Sequence, residues 1–250
     1  MKHYWINIDK NKKRQQFMEG QFTNLHLEHF RVSAYTPDDF DYMLNHKRPL
    51  TCKYPGCVTC EYEFACICSH LKAMQQALQS EDDWFVIMED DAQLPFVIDY
   101  EALIKDAPKD AEIIQTLILY GNTITQLFNY YMHTKNVFIK WQYLLPSTGM
   151  YIISRKGAQR LVNLFYNQET KKYDFSKSPY QIVADVLLYE TAKTYATTIP
   201  YAYPNPKMGS EIHPDHLSAQ SNAVNTIKEV ISKHKQHFPY IKKVVDITDP

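Results

Sequence analysis

Several class-defining features are missing from this 250-residue chain. No apolar run approaches the ~20 residues that span a bilayer, so no transmembrane segment is expected. The start, Met1-Lys2-His3-Tyr4-Trp5-Ile6-Asn7-Ile8, alternates like a strand and has no apolar secretory core. No Asn-x-Ser/Thr sequon occurs. Together these absences predict a cytoplasmic protein. No basic stripe is visible, with 27 Lys and Arg against 28 Asp and Glu, so nucleic acid is not an expected partner. The lysine-rich stretch from Lys228 to Lys243 is interleaved with Glu229 and reads as a solvated helix face. Glycine is scarce, at 6 residues, and no repeat or linker rich in Gly, Ser or Pro divides the chain. One domain over residues 1–250 is the simplest organisation, with a Cys-rich excursion near 36–60.

What is abundant is aromatic, with 19 Tyr and 12 Phe. Tyr suits a sugar-binding surface, where the ring packs on a pyranose and the hydroxyl hydrogen-bonds; core packing explains the same composition. All five cysteines lie between 52 and 68, at Cys52, Cys57, Cys60, Cys66 and Cys68. Cys57-x-x-Cys60 has the spacing of a zinc or redox pair, but Cys66-x-Cys68 does not complete a zinc ribbon. Metal, disulfide and free thiol all stay open.

Periodicity predicts strands at Tyr4–Ile8, His29–Ser33, Trp84–Met88, Glu112–Leu119, Gly149–Ser154 and Ala196–Ile199, with a last one at Ile241–Ile247. Helices are expected after an Asp9 cap through Phe22, over Glu61–Gln79, near 97–106, over Arg155–Phe165 behind a Ser154 cap, from Pro179 through Ala192, and over Ala223–His237. Residues 120–142 carry no decisive period. Strands alternating with helices predict an α/β fold with a largely parallel sheet.

The most informative stretch is Trp84-Phe85-Val86-Ile87-Met88-Glu89-Asp90-Asp91, an apolar strand that ends in three acids. In open α/β sheets ligands sit outside the carboxyl ends of strands. The similar triplet Glu81-Asp82-Asp83 precedes the strand and reads as a turn. On a pleated strand Glu89 and Asp91 point one way and Asp90 the other. Converging carboxylates hold a hard divalent cation, and the cation holds a diphosphate.

In chain order the motifs resemble glycosyltransferase family 25, the group of bacterial lipo-oligosaccharide and collagen-hydroxylysine galactosyltransferases. The residues that carry the resemblance are Ile6-Asn7-Ile8 with Lys12-Lys13-Arg14, Arg31-Val32-Ser33-Ala34, Glu63-Phe64-Ala65-Cys66-Ile67-Cys68-Ser69-His70, Met88-Glu89-Asp90-Asp91, Gly149-Met150-Tyr151-Ile152-Ile153-Ser154 running into Gly157-Ala158, and Asp185-Val186-Leu187-Leu188. Ala65 stands where the family has Gly, and the loop at 36–59 is individual to this chain.

The resemblance implies a GT-A-type, Rossmann-like sheet that binds a UDP-sugar with Mn²⁺ or Mg²⁺. It also implies inverting transfer of galactose or glucose to a saccharide or a glycosylated or hydroxylated protein. It places metal ligands at Glu89 and Asp91, with His213 from a C-terminal loop; Asp215 and His216 lie in the same loop. Asn7, Arg31, Asp90, Lys207 and Ser210 fall to the donor nucleotide. Asp185 falls to the general base, with Glu190 as runner-up. Inversion needs one such base on the acceptor hydroxyl. Tyr151 and Trp141 are read either as sugar-stacking or as core, and His70 as a core hydrogen-bonder. A catalytically silent nucleotide-sugar-binding module of the same fold is the alternative. A metal-dependent phosphohydrolase is the other, weakened because the strand at 112–119 brings no further acids to its end.

Overall fold

The computed structural model describes residues 1–40, 60–143, 145–209 and 217–245. Chain order gives β1 (His3–Asn7), α1 (Lys12–Leu25), β2 (His29–Ser33), α2 (Cys60–Ala77), β3 (Trp84–Glu89), β4 (Ala92–Gln93) and β5 (Phe96–Ile98). Then come α3 (Tyr100–Asp106), β6 (Ile113–Gln115), α4 (Gly121–Thr134), β7 (Phe138–Lys140), β8 (Met150–Ser154), α5 (Arg155–Phe165), β9 (Tyr166–Asn167) and β10 (Lys172–Tyr173). The chain closes with α6 (Ala184–Thr191), β11 (Thr194–Thr197), β12 (Tyr203–Pro204), α7 (Leu217–His234) and β13 (Ile241–Val244).

Seven strands form one sheet in the order β2-β1-β3-β8-β6-β11-β7. Five run in one direction, and β8 and β7 oppose them. This is a mixed α/β sheet flanked by helices, as the alternating periodicity predicts. Phe85 to Met88 are fully buried, so the apolar run that marks β3 lies in the core with β1 on one side and β8 on the other. Each such side chain contributes ~1.5–3 kcal/mol through burial. Among the described residues, no helix is long and apolar enough to cross a membrane.

Some local readings give way to longer-range contacts. Asn11, not Asp9, caps α1 by accepting from the Arg14 amide, because both Asp9 oxygens are engaged by Arg31 and Ser33. The segment 97–106 is divided: Phe96–Ile98 pairs with β13, and Asp99 then caps a short helix. Pro179 opens no helix; Tyr180 closes a turn on the Ser178 hydroxyl, and α6 begins at Ala184. The strand expected over Glu112–Leu119 is only Ile113–Gln115, and the ambiguous 120–142 segment is α4 and β7.

Ser154 does cap α5, accepting from the Gly157 amide at 3.1 Å. A Cβ on Gly157 would lie 3.0 Å from Glu112 Cβ and 3.1 Å from the Glu112 carbonyl oxygen. Glu112 cannot retreat easily, because its carboxylate accepts from Arg160 and from the Lys193 amide. Gly157→Ala is therefore expected to destabilise the protein by ~1–2 kcal/mol, although Ala is the better helix former by ~1 kcal/mol. Urea unfolding measures the difference, and a variant as stable as wild type would show that α5 shifts freely on β6.

Candidate functional site

The carboxyl edge of the sheet gathers the acids. Ile6 of β1 is in register with Glu89, the last residue of β3, so Asn7 and the acidic turn lie side by side. The antiparallel β8 enters the sheet at the same edge, and the Glu89 amide donates to the Gly149 carbonyl at 2.9 Å. Chain reversal at this point brings Ser147 and Thr148 to the acids.

β3 ends at Glu89, and Asp90 and Asp91 follow it in the turn. Asp90 and Asp91 both face Arg14, at 2.5 and 3.8 Å. Glu89 Oε1 instead accepts from the Thr148 hydroxyl at 2.7 Å and lies 3.4 Å from His70 Nε2. Asp90 is buried and doubly held, since its other oxygen accepts from Asn7 Nδ2 at 2.6 Å. Asn7 in turn accepts from Arg31 Nε at 2.9 Å, and Arg31 also pairs with Asp9. Asn7, Arg31 and Asp90 thus form one chain of hydrogen bonds.

Arg14 is the residue that sequence reading missed. It is buried on α1 and its guanidinium also donates to the Gly209 carbonyl at 2.6 Å and the Met208 carbonyl at 3.3 Å. It ties the acidic turn to the loop that follows β12. Lys207 contributes its carbonyl to Lys13 at 3.4 Å, so that loop packs along α1. Ser210 and His213, with Asp215 and His216, lie outside the described residues, as do Cys52, Cys57 and the side chain of Cys60.

Asp185 joins the site through a single peptide. The Ser147 amide donates to Asp185 Oδ2 at 3.1 Å, and the next residue, Thr148, binds Glu89. Ser147 has φ of 113°, a conformation L-residues rarely adopt. Its hydroxyl accepts from the Gly149 amide, and its carbonyl accepts from Tyr189 and Gln115. Strain of ~1–3 kcal/mol held in place this way is characteristic of functional segments.

Electrostatics follow from this crowding. Burial, then the charges of Glu89 and Asp90, raise the Asp91 pKa to about 7, against the opposing pull of Arg14. Burial also raises Asp90 and Asp185, the latter with help from Glu63 and Glu89. Burial pushes Glu89 upward too, but His70 and the Thr148 hydroxyl outweigh it and its net shift is down. Trp141 and Tyr151 are core residues: Trp141 donates to the Leu145 carbonyl, and Tyr151 bonds His70 Nδ1 at 3.1 Å. Glu190 is exposed at the far end of α6.

Residues 1–177 match the family model described as glycosyltransferase family 25 (LPS biosynthesis protein). No curated protein matches the chain. Among solved structures it is similar to A197 from STIV, at 10% identity and a TM-score of 0.41, over 81% of this chain and 83% of that one. It is also similar to a glycosyltransferase involved in glycosylation of the major capsid of PBCV-1, at 10% identity and a TM-score of 0.32, over 64% of this chain and 61% of that one. Mouse xyloside xylosyltransferase 1, in its apo form, matches at 12% identity and a TM-score of 0.30, over 64% of this chain and 55% of that one.

Proposed function

The chain belongs to glycosyltransferase family 25, and from that premise we propose that it moves a hexose, galactose or glucose, from a UDP-sugar to a hydroxyl of a glycan or hydroxylysine-type acceptor, with inversion. The observation that carries this reading is the Ser147–Thr148 peptide, which holds Asp185 and Glu89 at one sheet edge beside Asp91.

The donor set fits a hard divalent cation. Glu89 and Asp91 offer oxygen only, and the burial and then the Glu89 charge that raise Asp91 to about 7 both disfavour a lone carboxylate there, a cost that a bound dication would offset. Asp91, with Glu89, would hold Mn²⁺ or Mg²⁺, and the ion when bound would neutralise charge on the departing diphosphate. Arg14 keeps Asp90 and Asp91 apart in role: it satisfies Asp90 and leaves Asp91 the loosely paired acid, 14% exposed. Arg31, partly exposed beside Asn7, is the cation on the donor side. Lys207 belongs to the same loop as the Gly209 carbonyl that Arg14 holds. Asp185 takes the acceptor hydroxyl's proton. Its raised pKa makes it a stronger base than an exposed carboxylate, and its two amide hydrogen bonds fix its aim.

The test is a nucleotide-sugar panel scored by UDP release with and without Mn²⁺, together with calorimetry of UDP. Affinity for UDP with Mn²⁺ is expected to exceed that in EDTA by at least roughly tenfold, or ~1.4 kcal/mol. Equal affinity in both would remove the metal from the reading, and release of UDP from no UDP-sugar would remove the donor.

A further inference from the structure

We propose that Cys66 Sγ, His70 Nε2 and Glu89 Oε1 form a second cation site, one that takes a borderline-soft divalent ion such as Zn²⁺ in preference to Mn²⁺ or Mg²⁺. Cys66 and His70 are four residues apart on α2, so they share one face of the helix. That face meets the end of β3, and one ligand atom from each of Cys66, His70 and Glu89 lies within 4.8 Å of the others. A tetrahedral ion with bonds of ~2.0–2.3 Å holds its ligands roughly 3.3–3.8 Å apart, so small side-chain rotations close the set.

A second observation points to the same ligand. His70 is wholly buried, and its Nε2 has no hydrogen-bond partner of good geometry among the described residues, although Glu89 Oε1 is 3.4 Å away. Its other nitrogen, Nδ1, is held by the Tyr151 hydroxyl at 3.1 Å. An imidazole fixed at one nitrogen by a neighbour, with the other aimed at a carboxylate and a thiol, has the layout of a metal-ligating histidine with its supporting bond already made. Thr148 supports the carboxylate in the same manner, at 2.7 Å.

Binding takes the Cys66 sulfur as thiolate and releases its proton to solvent. Three protein ligands leave a fourth position open. Sulfur and nitrogen ligands select zinc or cobalt, whereas Asp91 offers oxygen alone. The two sites meet at Glu89 but differ in their other ligands, sulfur and nitrogen here and the Asp91 carboxylate there.

The experiment titrates Co²⁺ into the metal-stripped full chain and reads the thiolate-to-cobalt charge-transfer band. A band is expected, abolished by stoichiometric Zn²⁺ and untouched by excess Mg²⁺. Cys66→Ser and His70→Gln should each weaken Co²⁺ binding at least roughly tenfold, while Cys57→Ser/Cys60→Ser and Asp91→Asn keep the band. X-ray absorption of the zinc-loaded wild type should report one sulfur neighbour, which tests the site without any variant. Absence of a band, its survival in Cys66→Ser, its loss in Cys57→Ser/Cys60→Ser, or a count of zero or several sulfurs would overturn the assignment. Loss of UDP binding with the band intact would strike the donor reading alone.

Discussion

An Asp91→Asn protein is expected to lose sugar transfer by ~10³-fold and yet melt at a higher temperature than wild type at pH 8. The loss follows from the proposed role: an amide cannot neutralise the ion that faces the diphosphate, and removing one preorganised electrostatic group costs ~10²–10³ in rate. The gain follows from crowding. Asp91 has a folded-state pKa of about 7, raised by burial and by Glu89 and Asp90, against ~3.9 in an unfolded chain. The folded state therefore binds the proton more tightly. The associated stability is fully present below about pH 4 and is lost as pH rises through about 7. At pH 8 the wild type bears the whole penalty and the Asn variant bears none. A difference of ~1–3 kcal/mol is expected there, or roughly 2–10 °C in Tm for a chain of this size, shrinking toward zero near pH 4. Thermal melts of metal-free protein across that range measure it. A variant less stable than wild type at pH 8 would show that Asp91 is a structural acid, and unchanged turnover at saturating metal would move the site elsewhere.

How much of this was legible depends on whether the signal was local. The β3 run and the acids after it announce themselves, because five apolar residues followed by three charges fit few other environments. Ser154 and α5 were equally plain, since the cap immediately precedes an eleven-residue helix with one apolar face. The Asp9 cap failed because Arg31 and Ser33 compete for its carboxylate from a neighbouring strand, a contact invisible to local pattern. The α4 segment resisted because aromatic residues occur on both its faces: Phe128 and Tyr131 are buried while Tyr130 is exposed. In the site, titratable residues drew attention and quiet ones did not. Ser147 and Thr148 carry no charge, yet their peptide joins Asp185 to Glu89 across 38 and 59 residues of sequence. Arg14 stood out only as the third member of the basic run Lys12-Lys13-Arg14. Its partners, Asp90 and Gly209, are 76 and 195 residues away, and only the fold brings them to it.

Asp185→Asn is expected to lower transfer by ~10²–10⁴-fold while calorimetric UDP affinity stays within about twofold of wild type. The reasoning begins at the backbone. Asp185 is the second residue of α6, and its carboxylate accepts the Ser147 and Val186 amides. The bond from the Ser147 amide survives if the Asn oxygen takes it, and only the short-range contact with the Val186 amide is given up, so the fold and the donor pocket are expected to persist; what disappears is a lone pair able to accept a proton. The pH profile separates a base from a merely structural acid. Burial and the charges of Glu63 and Glu89 raise Asp185 above the ordinary carboxylate range. In wild type, therefore, kcat/KM should fall as pH drops through that raised value, because the protonated acid cannot act as base. In the Asn variant the residual rate should lose that acid limb. An unchanged rate would hand the role to another acid, although Glu190 is exposed at the opposite end of the helix and poorly placed to take it. A parallel loss of UDP affinity would instead make Asp185 an organiser of the donor pocket through Ser147, and the inverting reaction would then need its base from elsewhere on the sheet edge.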